Sequence, residues 1–569
     1  MTLCGNYGLS LTHRRSPWPN TSFTPSYLPM ISPSKRSRCL AAIILFMIAQ
    51  AISNQALADQ NWDGENAVGN FLNADNWFGN TVGGNGGFGF ANGSLHFTFR
   101  NNAAQTSLFY NFAGYADTND IFWDSSFPVG LTLDGNGQGL NFNQRLQNDS
   151  SFTQTIGSSM NLSGAKNGAT QIELSPVNGD LVLNGSIFND NSKPYVVFGN
   201  NAKTLTLNTT LGVGATPGNV SLTISANSTV KVQAIQNYTG GTNINAGVLN
   251  LGVAQGATGG PLGGTGTIAS IGTIRFGSGG VGGTLQYSAV NQTDYSSRFS
   301  TGSGQTFKID TNGQNVTFAS GLTSTGGTLT KLGAGTLTIG QQLSSYSGST
   351  TVSAGTLRIL NPSGSTTPRL TATSGITVNA GGALLLNQGA TTVSNNRIND
   401  AATITLGAGA TVGTGGIFNT GGLNEGPAAG AAGSVASMGA LTLNNNSTID
   451  FTSANSSNLL FASLIYTAGT PVTIARWTGT LGSDSGAATN DRLLFSSTTG
   501  LSDAQLASFQ FTDDAGALLG SGATQIAFNG YFELVPVPEP STWAAGLLTV
   551  AALGYTQRRR FRTILRCGS

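Results

Sequence analysis

The chain has 569 residues, of which 9% are charged, 39% are hydrophobic and 80 are glycine. The charged share is far below the roughly 25% of ordinary soluble domains, and glycine is about twice its usual share of about 7%. The hydrophobic fraction suffices for a core and argues against wholesale disorder. The low charge argues against a nucleic-acid-binding protein, which needs clustered Lys and Arg to contact phosphates.

The net charge of +1 hides an uneven distribution. Residues 1–58 contain five Lys or Arg and no acid, and residues 558–566 contain five Arg. The body between these ends keeps 25 − 10 = 15 basic residues against 24 acidic ones, a balance of −9. The body is therefore mildly acidic, and the positive charge lies in the two ends.

The cysteines are also confined to the ends. All three cysteines lie there (Cys4, Cys39 and Cys567), and the body keeps one histidine, His96. The body therefore excludes disulfides, a Cys nucleophile and a Cys/His zinc site. A Ser-His-Asp triad would need His96, which the alternation of the surrounding apolar residues places on the solvent face of a strand.

The N-terminal end has the pattern of a secretory signal. A basic segment is followed by an apolar stretch of about 14 residues, too short for a membrane span, and by Ala56-Leu57-Ala58. Small residues at Ala56 and Ala58 predict cleavage by signal peptidase before Asp59. The leader of residues 1–58 is longer than usual, and a start at Met30 would give an ordinary length.

Residues 59–155 are rich in aromatic residues, with three of the body's tryptophans at Trp62, Trp77 and Trp123. We interpret this region as an N-terminal β cap whose aromatic side chains close the end of a repeat array. The alternative is a sugar-binding module in which exposed rings stack on carbohydrate.

Two nearly identical hexapeptides reveal a repeat. Ala334–Ile339 and Ala354–Ile359 share five of six residues and lie 20 residues apart. Tyr238–Gly247 also parallels Tyr346–Gly355 position by position. A period of 20–26 residues predicts a solenoid, in which each rung buries its Leu and Ile row only by stacking on its neighbours.

The strand pattern within one rung is alternating. Leu337 and Ile339 share one face, which we expect to point into the core, and Thr336 and Thr338 share the other, which we expect to face solvent. Short alternating strands also suit an antiparallel β-sandwich array, which is the alternative architecture.

These motifs resemble the autotransporter-associated β-strand repeat, most completely over 326–360 and less completely over 237–252. The resemblance implies an all-β protein with a right-handed parallel β-helix, here over residues 156–460, on an exported bacterial protein. Residues 461–534 are then a C-terminal β cap, with Trp477, Phe509 and Phe511 as its expected core.

Residues 535–562 contain a second targeting pattern. Pro538-Glu539-Pro540 is followed by an apolar run and by the basic cluster Arg558-Arg559-Arg560. Proline keeps the first part extended, and arginines favour the cytoplasmic side of a membrane. An ordinary C-terminal membrane anchor would contain the same parts.

In this order the three parts resemble the PEP-CTERM sorting domain of Gram-negative bacteria. The resemblance implies processing by an exosortase-type enzyme after transient anchoring in the inner membrane through residues 543–557. The protein would then be at the cell surface or outside the cell.

Candidate catalytic groups are few. Carboxylates occur in two clusters, Asp117/Asp120/Asp124 and Asp513/Asp514, which could serve a polysaccharide lyase or glycosidase. The loop from Asp134 imitates the start of a calcium site, but Arg145 stands where the closing Glu is required. We therefore predict no catalytic, cofactor-binding or metal site.

The sequence thus favours an exported surface or matrix protein with a structural or adhesive role. A carbohydrate-active β-helix enzyme and a carbohydrate-binding surface protein are the alternatives. The expected partners are signal peptidase, an exosortase-type enzyme and exopolysaccharide or neighbouring surface proteins, without nucleic acid or a cofactor.

Overall fold

A computed structural model describes five parts of the chain. Four of them are short: residues 60–62, 95–97, 107–109 and 548–558. The fifth is residues 116–537 without the following gaps: 135–139, 158–170, 186, 189–193, 200–202, 214–219, 237, 258, 265–271, 341, 362–368, 389–395, 426–436, 453–455, 467–470 and 480–489.

The described residues are mostly short β-strands. Those of the first half are, in chain order, β1 (Gln60–Trp62), β2 (Leu95–Phe97), β3 (Ser107–Phe109), β4 (Ala116–Trp123), β5 (Thr132–Asp134), β6 (Leu140–Asn148), β7 (Gln154–Ile156), β8 (Ile172–Pro176), β9 (Leu181–Leu183), β10 (Ile187–Phe188), β11 (Tyr195–Val197), β12 (Thr204–Leu207), β13 (Leu211–Val213), β14 (Leu222–Ile224), β15 (Thr229–Val232), β16 (Thr242–Ile244), β17 (Val248–Leu251), β18 (Ile274–Phe276) and β19 (Thr284–Gln286).

The second half continues in the same manner. Its strands are β20 (Thr306–Asp310), β21 (Asn315–Phe318), β22 (Thr328–Leu332), β23 (Thr336–Ile339), β24 (Thr350–Val352), β25 (Gly355–Asn361), β26 (Gly375–Val378), β27 (Gly382–Gln388), β28 (Thr403–Leu406), β29 (Ile417–Asn419), β30 (Leu441–Leu443), β31 (Thr448–Asp450), β32 (Asn458–Phe461), β33 (Leu464–Tyr466), β34 (Val472–Ala475), β35 (Arg492–Phe495), β36 (Phe509–Thr512), β37 (Leu518–Ser521), β38 (Ala523–Phe528) and β39 (Tyr531–Pro536). The helices are a 3-10 turn at Ser296–Arg298, α1 (Asp503–Leu506) and α2 (548–558).

Three long sheets contain most of these strands. The first sheet joins β1, β2, β4, β6, β8, β11, β14, β16 and β18. The second sheet has 15 strands, from β3 to β33, and the third sheet has nine, from β21 to β37. Apart from β36 and β37, successive strands of these sheets come from successive turns of the chain and pair in parallel, which is the topology of a parallel β-helix. The predicted parallel β-helix is confirmed, and the described strands do not form an antiparallel sandwich array.

The two hexapeptides stack directly on each other. Leu337 pairs with Leu357, and Ile339 pairs with Ile359, in the parallel register of β23 and β25. All four side chains are buried. The 20-residue spacing is therefore one turn of the helix, as the repeat predicted.

One detail of the expected alternation is wrong. Thr338 lies between two inward residues, but its side chain is only 5% exposed, and its register neighbours are Thr317 and Arg358. The outer face of the third sheet is covered at this point, so alternation alone does not make an outward residue accessible.

The sheets change partners near the middle of the chain. The first sheet ends at β18 and the third begins at β21, while the second sheet continues through both halves. Four rings fill the core at this transition, with Phe276, Phe299, Phe307 and Phe318 in edge or stacked contacts at centroid distances of 5.1–6.0 Å. Bulky aromatic side chains thus fill the space where the cross-section changes.

The C-terminal end is closed by antiparallel strands. β39 pairs antiparallel with β35 and β38, and β37 pairs antiparallel with β36. Trp477 packs edge-on against Phe511 at 5.4 Å, and Phe509 is also buried. Antiparallel pairing ends the stack of parallel rungs.

The N-terminal strands described before residue 155 belong to the same sheets as the later rungs. β1, β2, β4 and β6 extend the first sheet, and β3 and β5 extend the second. The division of the chain at residue 155 stays a prediction, but both sheets run through it.

Candidate functional surface

Most residues of the predicted targeting signals lie outside the described part of the chain. These are Ala56, Ala58 and Asp59 at the leader and Pro538, Glu539, Pro540, Arg559 and Arg560 at the tail. Arg558 is the last residue of α2, whose residues are all exposed. Among the helices that the structure describes, none has the length and apolar character needed to cross a bilayer.

Three tryptophans were considered for sugar stacking, and the one whose side chain the structure describes, Trp123, lies in the core. Trp123 ends β4 and is completely buried. Trp77 lies outside the described residues, and the side chains of Trp62 and His96 are also outside them. Trp123 could stack on a ligand only if the first sheet opened.

The acidic residues of the first cluster are used locally. Asp120 forms an ion pair with Arg145 at 3.5 Å, and the Arg145 guanidinium lies 4.3 Å from the centre of the Phe122 ring. Asp124 accepts a hydrogen bond from the backbone N–H of Ser126 at 2.9 Å. The side chain of Asp117 is outside the described residues. These contacts stabilise a strand and a turn.

The second acidic cluster forms a hairpin turn. Asp513 accepts a hydrogen bond from the backbone N–H of Ala517 at 2.8 Å, between β36 and β37. On a nearby rung, Asp450 pairs with Arg476 and accepts the side-chain amide of Asn419 at 2.9 Å. In the described parts of the chain no three His, Cys, Asp or Glu side chains are placed to hold a metal ion.

The two parallel decapeptides build the same corner. The Tyr238 hydroxyl lies 3.0 Å from the Thr242 hydroxyl, and the Tyr346 hydroxyl lies 2.6 Å from that of Thr350. Burial raises the pKa of Tyr238 to about 12 and also raises that of Tyr346. At each corner a buried, neutral tyrosine hydroxyl is therefore paired with a buried threonine hydroxyl.

A lysine occupies a core position on β22. Lys331 alternates inward with Leu329, and its side chain is fully buried. Its amino group donates to the backbone oxygens of Leu332, Gly333 and Ala354 at 2.9, 2.7 and 3.0 Å. Burial lowers its pKa to about 8. The amino group thus satisfies carbonyls at the turn between two rungs.

Charged groups are also buried along a narrow third side of the later rungs. Parallel bridges join Ser344, Leu370 and Ile398 there. The Glu425 carboxylate accepts the backbone N–H groups of Arg397 at 2.6 Å and Ile398 at 3.2 Å. Burial raises the pKa of Glu425 to about 7 against these hydrogen bonds, which lower it. The Glu425 carboxylate thus accepts backbone N–H groups that a neighbouring strand would otherwise accept through its carbonyl oxygens.

A second buried pair lies near the C-terminal end. Arg492 and Glu533 form an ion pair at 2.8 Å, with both side chains almost fully buried. Asp491 accepts the backbone N–H of Ser457 at 2.7 Å, and burial raises its pKa to about 6. These groups tie the antiparallel strands to the last parallel rungs.

The second sheet presents a row of identical side chains on its outer face. The row is defined by five threonines on consecutive strands that pair in register: Thr330, Thr351, Thr377, Thr405 and Thr442. Each is partly exposed. Parallel strands lie about 4.8 Å apart, so the threonine row spans about 19 Å.

The threonine row is bounded on both sides. Lys308 precedes it in the same register, and Ile465, with 52% of its surface exposed, follows it. The row was missed in the sequence because its members are 21, 26, 28 and 37 residues apart. The only local signal is a threonine between two inward residues in each strand, which many strands share.

Comparison with known families points to the same repeats. The family model of the passenger-associated transport repeat matches residues 221–251 and 329–359. The chain has no significant match among curated proteins. It also has no significant match among solved structures. The two matched segments, β14–β17 and β22–β25, are therefore similar to repeats of exported passenger proteins, in agreement with the resemblance seen in the sequence.

Proposed function

We propose that this chain is an exported bacterial surface or matrix protein whose β-helix has a structural or adhesive role. The observation that carries the proposal is the pair of segments similar to passenger-associated transport repeats, which fold here as stacked rungs. A stack of rungs offers a long surface and needs no reactive group.

The proposal includes the two ends of the chain. Signal peptidase would cleave before Asp59, and the tail would hold the protein in the inner membrane through residues 543–557. An exosortase-type enzyme would then act near Pro538-Glu539-Pro540 and release the body to the surface. The order of extended segment, apolar run and Arg558-Arg559-Arg560 supports this route.

The proposal assigns no reaction to the chain. Among the described carboxylates of the two candidate clusters, Asp120 is engaged in an ion pair, and Asp124 and Asp513 are engaged in turns. A polysaccharide-degrading enzyme needs two carboxyl groups converging on one bond. Exopolysaccharide and neighbouring surface proteins are instead proposed as binding partners.

The test is to follow the full chain in its own host. Protease treatment of intact cells should degrade it, and the mature protein should begin at Asp59. Mass spectrometry of the surface fraction should find peptides of the body but none from residues 543–558. Replacing Arg558, Arg559 and Arg560 by Ser should cause secretion of unprocessed protein. A protein that resists the protease on intact cells, but not on lysed ones, would refute a surface location.

A further inference from the structure

β38 is the edge strand of the four-stranded sheet near the C-terminal end. The sheet has the order β32, β35, β39 and β38, so β38 has a neighbour on one side only. The two-residue turn that joins β38 to β39 has positive φ at both positions. In such a hairpin the pair next to the turn, Phe528 and Tyr531, exchanges hydrogen bonds, and every second pair does the same. The backbone groups of Gln525 and Ala527, which lie between these pairs, therefore point away from β39.

These outward groups have no partner in the part of the chain that the structure describes. No backbone hydrogen bond joins Gln525 or Ala527 to another described segment, and Ala527 is exposed. Pro536, which has no N–H, lies opposite Ala523 in a pair that the alternation leaves without hydrogen bonds. Unpaired amides at alternate positions of a strand match the backbone of another extended strand.

The other two sheets that end near this point have protected edges. The second sheet ends at β33, where the Gln505 side chain of α1 donates to the Tyr466 carbonyl oxygen at 3.0 Å. The third sheet ends at β37, whose pairing with β36 contains a bulge at Leu519. β38 instead pairs with β39 over six residues without a bulge, and it contains no charged residue and no proline. It therefore lacks the features by which proteins prevent pairing at an edge.

The sequence of β38 fits a second copy of itself. In an antiparallel pair centred on Ile526, Gln525 of each copy lies opposite Ala527 of the other, so both outward residues of each strand form hydrogen bonds. A long side chain then faces a small one, and Ile526 faces Ile526. The charged side chains of β35 and β39, Arg492 and Glu533, are buried and paired with each other, so two copies do not repel at this edge. This match of each residue to its symmetry mate favours a second copy over a strand of another protein.

We propose that β38 is the surface through which two copies of this chain associate, by antiparallel pairing about a two-fold axis at Ile526. The pairing joins the two four-stranded sheets into one continuous sheet. The strand is already extended before contact, so its backbone needs no reorganisation. Only one strand of each copy contributes, so the interface is small and the association is weak and concentration-dependent.

Site-specific crosslinking of the full chain tests the pairing and its register. In a chain whose three native cysteines are replaced by Ser, Ile526→Cys places two thiols opposite each other, within the Cα separation that a disulfide spans. Mild oxidation should therefore give a covalent dimer. Thr524→Cys is the matched control on the same face of the same strand. Its two thiols would lie about 14 Å apart, so it should give roughly tenfold less dimer.

A second variant tests the backbone hydrogen bonds. Ala527→Pro removes one outward N–H and leaves the bonds between β38 and β39 intact. Sedimentation velocity of the wild-type chain should show dimers that increase with concentration, whereas Ala527→Pro should stay monomeric with an unchanged far-UV circular dichroism spectrum.

Three results would overturn the proposal. The first is equal crosslinking of the two cysteine variants, which would indicate random collision. The second is a wild-type chain that stays monomeric at every concentration, and the third is a dimer that persists in a folded Ala527→Pro variant. If Ala527→Pro does not fold, the comparison of Ile526→Cys with Thr524→Cys decides alone.

Discussion

The two repeats matched by the family, residues 221–251 and 329–359, differ in position and in one core residue, yet their corners are the same. β16 and β17 of the first repeat lie in the first and second sheets, while β24 and β25 of the second repeat lie in the second and third. Both corners contain a buried Tyr-Thr pair. The comparison teaches that the corner is the repeated unit and that it can join the first and second sheets as well as the second and third.

The core position that differs is Ile224 in the first repeat and Lys331 in the second. Both are buried and face inward, one on β14 and one on β22. Lys331 is tolerated because three carbonyl oxygens receive its amino group. A core position of the repeat can therefore hold a charge where the adjoining turn presents acceptors.

The largest expected effect is the loss of stability when the glycine of either corner is replaced by a larger residue. Gly247 and Gly355 have φ of +64° and +65°, and an added Cβ would lie 2.2 and 2.5 Å from a backbone oxygen. Gly247→Val and Gly355→Val should each lower the free energy of unfolding by about 4 kcal/mol, from strain and overpacking. Chemical denaturation measures this.

The control for this substitution separates strain from crowding. Gly326 has φ of +69° with nothing within 4 Å of an added Cβ, so Gly326→Val should cost only about 1–2 kcal/mol. Equal losses at Gly326 and Gly355 would mean that contact between rungs does not constrain the corner.

The next effect sharpens the difference between the two core positions. Ile224→Lys should lower the free energy of unfolding by about 3 kcal/mol, because it buries a charge at a position now filled by an aliphatic side chain. Lys331→Ile should cost less, about 1–2 kcal/mol, because it removes hydrogen bonds but no buried charge remains. Urea titration at pH 7 compares them, and a larger loss for Lys331→Ile would contradict the interpretation.

A smaller effect distinguishes the later rungs by their pH dependence. The folded pKa of Glu425, about 7, lies above its ordinary value of 4.5, so its stabilising contribution is fully present below pH 4.5 and is lost as pH rises through 7. Between pH 6 and 8 the loss is on the order of 1 kcal/mol. Glu425→Gln should flatten this part of the stability profile, measured by thermal unfolding. An unchanged profile would show that Glu425 stays ionised.

The smallest effect concerns the tyrosine hydroxyls. Tyr238→Phe and Tyr346→Phe should each lower the free energy of unfolding by about 1 kcal/mol, because each leaves a buried threonine hydroxyl with one partner fewer. The loss should be similar in the two repeats. A loss at only one of them would show that the two corners are not energetically equivalent.

Much of the fold was predictable because the repeated residues lie in adjacent rungs. The spacing of Leu337 and Leu357 equals one turn, and the alternation of inward residues gives the strand. The change of sheets between β18 and β21 was not predictable, since it depends on how four phenylalanines fill one cross-section. The burial of Lys331 was not predictable because its hydrogen-bond acceptors are backbone oxygens, which every residue has whatever its side chain.

The candidate surface was even less predictable. Turns of unequal length separate its members, so Thr405 and Thr442 become neighbours only through the register of β28 and β30. By contrast, the targeting motifs are contiguous and can be read directly, although nearly all of their residues lie outside the described part of the chain.

The central claim is that successive rungs pair in parallel register, and disulfide crosslinking across the second sheet tests it most directly. In a chain whose three native cysteines are replaced by Ser, the pair Thr351→Cys and Thr377→Cys should crosslink readily under mild oxidation. Their strands lie about 4.8 Å apart, within the range of Cα separations that a disulfide spans. The pair Thr351→Cys and Thr405→Cys is two rungs apart, at about 10 Å, and should not crosslink. Crosslinking of the second pair but not of the first would contradict the β-helix described here.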